Sequence, residues 1–182
     1  MSTPVDHDAP TEPAPPGRRE SLRPVLVDVG IVLGWFLVAG VIAAVAWWQL
    51  VDLPQATREG GSVVVEADQL GKEVNIDGWY FVISFVGGLA SGIALLNWRH
   101  RDPLLTVVLV TLGGGLATFV MCKLGGLLGP GSEVDALRTK AEGAHALMRL
   151  QVHASGVLWV WPAAAALGAL VYLWVLKDPG SD

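Results

Sequence analysis

The sequence has few of the residues from which catalytic and metal centres are built. Cys122 is its single cysteine, which excludes an internal disulfide and a thiolate metal cluster. His145 and His153, near Glu142, match no metal-ligand spacing and are better interpreted as solvated or hydrogen-bonded side chains. The glycine run 113–115 has no following Lys-Ser or Lys-Thr, so it is not a phosphate-binding loop. We therefore expect no enzyme active site, no metal and no cofactor.

Charge is also scarce, and four long segments have almost none. Only 16% of the residues are charged, whereas 52% are hydrophobic. A helix rises about 1.5 Å per residue, so about 20 apolar residues cross a hydrocarbon core of about 30 Å. Lipid offers no partner to backbone N–H and C=O groups, which requires helices there. The sequence predicts an all-α membrane protein, a four-transmembrane-helix bundle in one domain (24–177). Its spans cover about 25–48, 79–97, 104–122 and 154–176.

The segments outside these spans predict the orientation of the chain. Residues 1–23 are rich in proline and acidic residues and are expected to be a disordered cytoplasmic tail. Basic residues before the first span and in the short turn after the second favour the cytoplasmic side. They are Arg18, Arg19, Arg23, Arg99 and Arg101. We expect a protein of the cell membrane with the N-terminus and the C-terminal tail, 178–182, both in the cytoplasm.

Small residues recur at four-residue intervals in all four predicted spans. In lipid, helices associate through close backbone approach, which glycine, alanine and serine allow. The candidates for helix packing are Gly30 and Gly34; Ser84, Gly88 and Gly92; Gly113 and Ala117; and Ala164 and Gly168. The second span has the longest stripe, so we expect the second helix at the centre of the bundle.

Polar residues that could line a pathway are confined to the ends of the spans. Asp28 is the only acidic residue inside a predicted span, and Lys123 follows the third. An interfacial or paired carboxylate and an outward-pointing lysine are the simpler interpretations. The alternative hypothesis is that Asp28 and Lys123 contribute to a polar pathway. Pro162, inside the fourth span, predicts a kink near Leu158.

Two outer loops hold the expected non-helical structure. Residues 62–66 are rich in β-branched residues and 72–76 nearly alternate, which favours either a short β-hairpin or an irregular loop. Ser132 with Asp135 is typical of the start of a short helix. The alternation over 148–153 suits a strand, with a helix as the other interpretation. Paired strands from the two loops would form a small extracytoplasmic cap over the bundle.

Four short motifs add a resemblance to a family. They are DGWY at 77–80, WRHRDP at 98–103, LG at 124–125 with LGP at 128–130, and WP at 161–162. Together they resemble uncharacterised four-pass membrane proteins of actinobacteria, classed as domains of unknown function, over about residues 20–178. The resemblance implies an envelope location and supplies no catalytic residue.

The absence of reactive motifs, combined with packed spans and structured loops, favours a non-enzymatic function. We expect an accessory or scaffold protein of the cell envelope. Its partners would be the lipid bilayer and a membrane or envelope protein, and not nucleic acid. The alternative is a small permease or channel component.

Overall fold

The computed structural model describes residues 18–98 and 103–176. The predicted basic turn at Arg99 and Arg101 and the C-terminal tail lie outside the described residues. The first helix begins at Arg18, so the last six residues of the predicted disordered tail, 18–23, are helical, and 1–17 lie outside the described part.

Helices dominate the described residues. They are α1 (Arg18–Leu50), α2 (Leu70–Trp98), α3 (Pro103–Leu128), α4 (Glu133–Leu137) and α5 (Val160–Val171). A 3-10 turn, Ser155–Trp159, precedes α5, and a π-helical turn, Tyr172–Leu176, follows it. Four helical segments are long and apolar enough to cross a membrane, which confirms the predicted number of long apolar helices.

The long helices form two parallel pairs. Phe36 of α1 faces Gly113 of α3, and Trp47 further along α1 faces Gly125 further along α3. The second pair joins α2 to α5 and is the most extensive helix contact. Three further contacts join the two pairs: α2 contacts α1, α3 contacts α5, and α2 contacts α3. The centre of the bundle is therefore shared between α2 and α3, whereas the sequence predicted α2 alone.

Glycine allows the backbones of α2 and α5 to approach closely. A Cβ placed on Gly88 would lie 2.7 Å from the carbonyl oxygen of Trp161. A Cβ on Gly92 would overlap the carbonyl of Ala165, and one on Gly168 would overlap the carbonyl of Leu89. No side chain fits at these three positions unless the helices separate.

The remaining small-residue candidates lie in several helix contacts. Ala164 of α5 packs beside Gly88. Ser84 of α2 is fully buried and donates a weak hydrogen bond to the Met121 sulfur of α3 at 3.8 Å. In α3, a Cβ on Gly113 would overlap the Phe36 ring, and Ala117 packs against α1.

The small residues predicted for α1 require a correction. Gly30 and Gly34 are exposed, and a Cβ on either would have nothing within 4 Å. Gly40 makes the contact instead, because its Cβ would lie 3.0 Å from the carbonyl oxygen of Ala117. The packed face of α1 contains Val32 and Phe36. Gly30 precedes Val32 by two residues, and Gly34 precedes Phe36 by two. Two residues correspond to roughly 200° around the helix, so both glycines lie on the side opposite the packed face.

Pro162 is the third residue of α5 and follows the 3-10 turn closely. Proline has no N–H to donate to the carbonyl four residues earlier. The predicted kink is instead a change from a 3-10 turn to an α-helix at Val160. The carbonyl of Leu158, four residues before the proline, accepts a hydrogen bond from Thr118 Oγ1 of α3 at 3.2 Å. The neighbouring helix thus satisfies the group that the proline leaves free.

Strands from the two loops form a three-stranded antiparallel sheet. Its strands are β1 (Gln55–Glu59), β2 (Ser62–Val65) and β3 (His145–Leu147), in the order β2-β1-β3. Gly60 and Gly61 make the hairpin turn with φ of 57° and 78°, the left-handed values that a two-residue turn of this kind requires.

The strand predictions are partly correct. β2 lies within the predicted segment 62–66, but 72–76 belongs to α2 and pairs with nothing. Its helical state follows from tertiary packing, because Ile76 and Tyr80, four residues apart, are both fully buried against the bundle. The third strand, β3, ends just before the predicted segment 148–153. The short helix is confirmed, since Ser132 accepts a hydrogen bond from the N–H of Asp135 at 3.4 Å.

Candidate functional site at the capped end of the bundle

The two loops 51–69 and 129–154 fold over one end of the bundle, and we call them the cap. The cap contains the sheet, α4 and the segment that leads into the fourth span. Beneath it, α3 continues through Gly125 and Gly126 to Leu128, beyond the end of the predicted span at residue 122. The cap and the helix ends below it bring polar and charged side chains together.

Trp47 is the central side chain under the cap. It is fully buried, and its indole Nε1 donates a hydrogen bond to the carbonyl of Ile76 at 3.0 Å. Its ring meets that of Tyr80 edge to face, with centroids 5.4 Å apart. A Cβ on Gly125 would lie 2.6 Å from a ring carbon of Trp47, which explains a glycine there. Trp47 is thus part of the buried core although it lies near the end of α1.

Leu150 attaches the second loop to this core. It is 1% exposed, and a Cβ on Gly129 would lie 2.8 Å from the Leu150 Cβ. The side chain also approaches Gly125 beside Trp47. The cap therefore has an apolar attachment to the bundle.

Asp77 of α2 provides the polar attachment. Its Oδ1 accepts the backbone N–H of His153 at 3.0 Å, and its Oδ2 accepts that of Ala154 at 2.9 Å. These two N–H groups immediately precede the 3-10 turn that opens the fourth span, where helical N–H groups lack partners and a negative charge is favourable. The side chain of Asp77 is only 16% exposed. One carboxylate therefore links the start of α2 to the start of the last helical segment.

Arg58 organises the cap itself. From the central strand, its guanidinium donates to the carbonyls of Leu137 and Arg138 at 2.7 Å and 2.6 Å, at the end of α4. Glu142 lies 3.7 Å from the Arg58 Nε and accepts the Gly61 N–H at 3.1 Å. These contacts connect the hairpin turn, α4 and the loop after it into one unit.

The histidines of the cap also have local partners. The Nδ1 of His145 and the Oγ1 of Thr57, on paired strands, are 2.8 Å apart. His153 lies beside Asp77, with its Nδ1 at 3.9 Å from Oδ1. Within residues 18–98 and 103–176, no three His, Cys, Asp or Glu side chains form a group that could hold a metal ion.

A groove of about 510 Å³ opens between the cap and the ends of the helices. Lys123 and Arg149 line it, together with apolar side chains that include Trp47, Leu150 and Leu158. The Nζ of Lys123 lies 5.7 Å from the centroid of the Phe119 ring, one turn back along α3. This contact follows from the lean of helical side chains towards the N-terminus and from the attraction of the ring for the cation, and Lys123 is exposed.

Asp28 and Lys123 lie at opposite ends of the bundle. The register that sets Phe36 against Gly113 places Asp28 at the level of residue 105. Lys123 is 18 residues further along α3, or about 27 Å along the helix axis. The structure does not bring the two residues of the hypothetical polar pathway together.

Other polar groups within the long helices form local pairs. Trp35 Nε1 donates to Ser91 Oγ at 3.0 Å, and Cys122 Sγ lies 3.8 Å from the Tyr80 hydroxyl. A thiol beside a phenol is a packing arrangement and lacks the base that nucleophilic catalysis uses. These pairs satisfy buried polar atoms.

Sequence reasoning missed the contacts of Gly40, Asp77, Arg58 and Arg149. A signal existed for Gly40, which is four residues after Phe36 on the same face of α1. Asp77 and Arg58 act on backbone groups more than 75 residues away in the chain, and no local pattern marks such partners.

No protein-family model, curated protein or solved structure matches this chain. The resemblance to four-pass membrane proteins of actinobacteria stays a prediction. The function must therefore be inferred from the geometry of the cap and the groove.

Proposed function

We propose that the chain is a multi-pass protein of the cell membrane and serves as a non-enzymatic accessory or scaffold protein for an envelope partner. Both termini lie in the cytoplasm in this proposal, and the cap faces outward. Support comes from the four apolar helices and from the folded surface at one end. A reporter fused after the fourth span tests the orientation, since activity only on the outer side contradicts it.

The observation that carries the proposal is the firm attachment of the cap. Asp77 binds backbone N–H groups of the second loop, and Leu150 is buried against the bundle. Arg58 connects the strands to α4. A surface held at fixed geometry loses little conformational entropy on binding, which suits a docking role.

The sheet has two edge strands, β2 and β3, and the longer one, β2, is the part of the cap that we assign to a protein partner. β2 is at one end of the strand order and has a single strand neighbour, β1. The side chain of Val64 in β2 is 38% exposed. An edge strand offers backbone N–H and C=O groups to an added strand. We therefore assign partner docking to β2.

Affinity capture from native membranes tests this function. The parent should retain a reproducible envelope protein, and Val64→Lys should lose it, because a charge at an edge strand opposes strand addition. Val74→Lys is the matched control, because Val74 is 73% exposed on α2 outside the sheet and should leave capture unchanged.

Two results contradict the scaffold function. One is capture that recovers no reproducible partner, or recovers it equally with Val64→Lys. The other is solute flux in proteoliposomes that the parent supports and Asp28→Asn abolishes, which would favour a permease or channel component.

A further inference from the structure

We propose that the groove between the cap and α3 binds the phosphate of an anionic phospholipid headgroup. Two cationic side chains, Lys123 and Arg149, line this groove, and none of the described residues that line it is acidic. The site is therefore positively charged at the point where the cap meets the helices.

Neither cationic group is neutralised by a described carboxylate. Lys123 has a described contact with the Phe119 ring and no ion pair among residues 18–98 and 103–176. The carboxylate near Arg149, that of Glu133, accepts the backbone N–H of Arg149 at 3.3 Å and not a guanidinium N–H. Both charges remain available to an anionic ligand.

Arg149 packs beside the face of α3 that carries Lys123, and both residues line the groove. A Cβ on Gly126 would lie 3.8 Å from a terminal guanidinium nitrogen of Arg149. Gly126 and Lys123 are three residues apart on a helix, so they share a face. The guanidinium of Arg149 therefore lies close to the helix face that carries the lysine.

The depth of the groove matches that of a lipid headgroup. Tyr80 lies beside Cys122, so its neighbour Trp79 is at the level of Lys123. In the membrane placement proposed above, on which this inference rests, Trp79 and the exposed Trp48 would lie where interfacial aromatic side chains meet headgroups. Lys123 would then lie near the depth of the lipid phosphate groups.

The apolar part of the groove suits the remainder of a lipid. Leu158 and Val152 line it, as does Leu127, which is 78% exposed on the outer surface of α3. The glycerol backbone and the start of an acyl chain can follow these side chains outward. A volume of about 510 Å³ falls in the range of small-molecule sites, about 300–1,000 Å³.

Native mass spectrometry of the full chain in detergent tests the site. Phosphatidylglycerol should bind more tightly than phosphatidylcholine of the same acyl chains. The double variant Lys123→Gln/Arg149→Gln should lower the phosphatidylglycerol affinity by about 25-fold, since each basic residue near an anionic headgroup contributes about fivefold. The charge-conserving variant Lys123→Arg/Arg149→Lys should retain most of it. Lys140→Gln, an exposed cation of the cap outside the groove, should change nothing.

Three results would overturn the proposal. The first is an unchanged phosphatidylglycerol affinity in the Gln double variant. The second is an equal loss with Lys140→Gln, which indicates diffuse attraction of charge. The third is displacement of the lipid by an equal concentration of inorganic phosphate, which identifies a free anion as the ligand.

A second measurement on the unaltered protein covers the case in which the double variant does not fold. Photoactivatable phosphatidylglycerol should label peptides that contain 119–127 or 149–152. Labelling confined to other segments contradicts the site.

Discussion

The helix bundle and the cap are held together by different interactions. Between α2 and α5, glycines at positions 88, 92 and 168 bring one backbone against the other. In the cap, the charged side chains of Asp77 and Arg58 bind distant backbone groups. For a chain that spans a membrane, the contrast has a physical origin. Helices in lipid gain little from hydrophobic association and depend on close packing, whereas loops in water need hydrogen bonds for backbone groups that no helix satisfies.

The largest expected effect tests the bundle. Gly92→Ile should separate α2 from α5 and lower the free energy of unfolding by about 3 kcal/mol or more, because no side chain fits against the Ala165 carbonyl. Gly115→Ile is the control, since a Cβ on Gly115 has nothing within 4 Å. Unfolding in mixed detergent micelles measures both. Equal stability of the two variants would show that close approach is not what holds this pair.

An intermediate effect is expected in the cap. Asp77→Ala removes the acceptor of two N–H groups and should cost about 2 kcal/mol, as for hydrogen bonds to a charged group. Asp52→Ala breaks only the exposed ion pair with Lys72, at 3.1 Å, and should cost less than about 1 kcal/mol. Hydrogen exchange of residues 153–159 should quicken with Asp77→Ala alone. Identical exchange in both variants would argue against the capping role.

The smallest effect concerns a hydrogen bond inside the bundle. Thr118→Val removes the donor to the Leu158 carbonyl and should cost about 0.6 kcal/mol, typical of hydrogen bonds between membrane helices. This loss of stability should vanish when Thr118→Val is made together with Pro162→Ala, because residue 162 then has an N–H that can donate to the Leu158 carbonyl. A double-mutant cycle of unfolding free energies measures this coupling. A coupling energy of zero would show that the hydrogen bond from Thr118 does not compensate for the N–H that Pro162 lacks.

Local chemistry made part of the fold predictable. Ser132 starts α4 because its side chain accepts a nearby N–H, and the β-branched residues of β2 form a strand. The segment 72–76 was predicted wrongly because near-alternation is a weak signal over five residues. Burial of Ile76 and Tyr80 on one helix face decided its state.

The candidate site was less predictable than the fold. Gly30 and Gly34 have the same spacing as Gly88 and Gly92, yet only the second pair meets a neighbouring helix. Spacing defines a face of a helix, but it does not say which face another helix covers. Lys123 was predicted to follow the third span, but it lies inside α3, which continues to Leu128. Only the structure shows Arg149 in the same groove.

Composition along the chain was sufficient to determine four helical segments, because a long apolar stretch in lipid has to pair its own amides. The two-glycine turn at Gly60 and Gly61 is likewise local, because it depends on backbone angles that glycine adopts without strain. Tertiary structure decided which helices pair, which strand neighbours β1, and where Asp77, Lys123 and Arg149 find their surroundings. These outcomes depend on contacts between residues distant in the chain, whose energies appear only once the helices are packed.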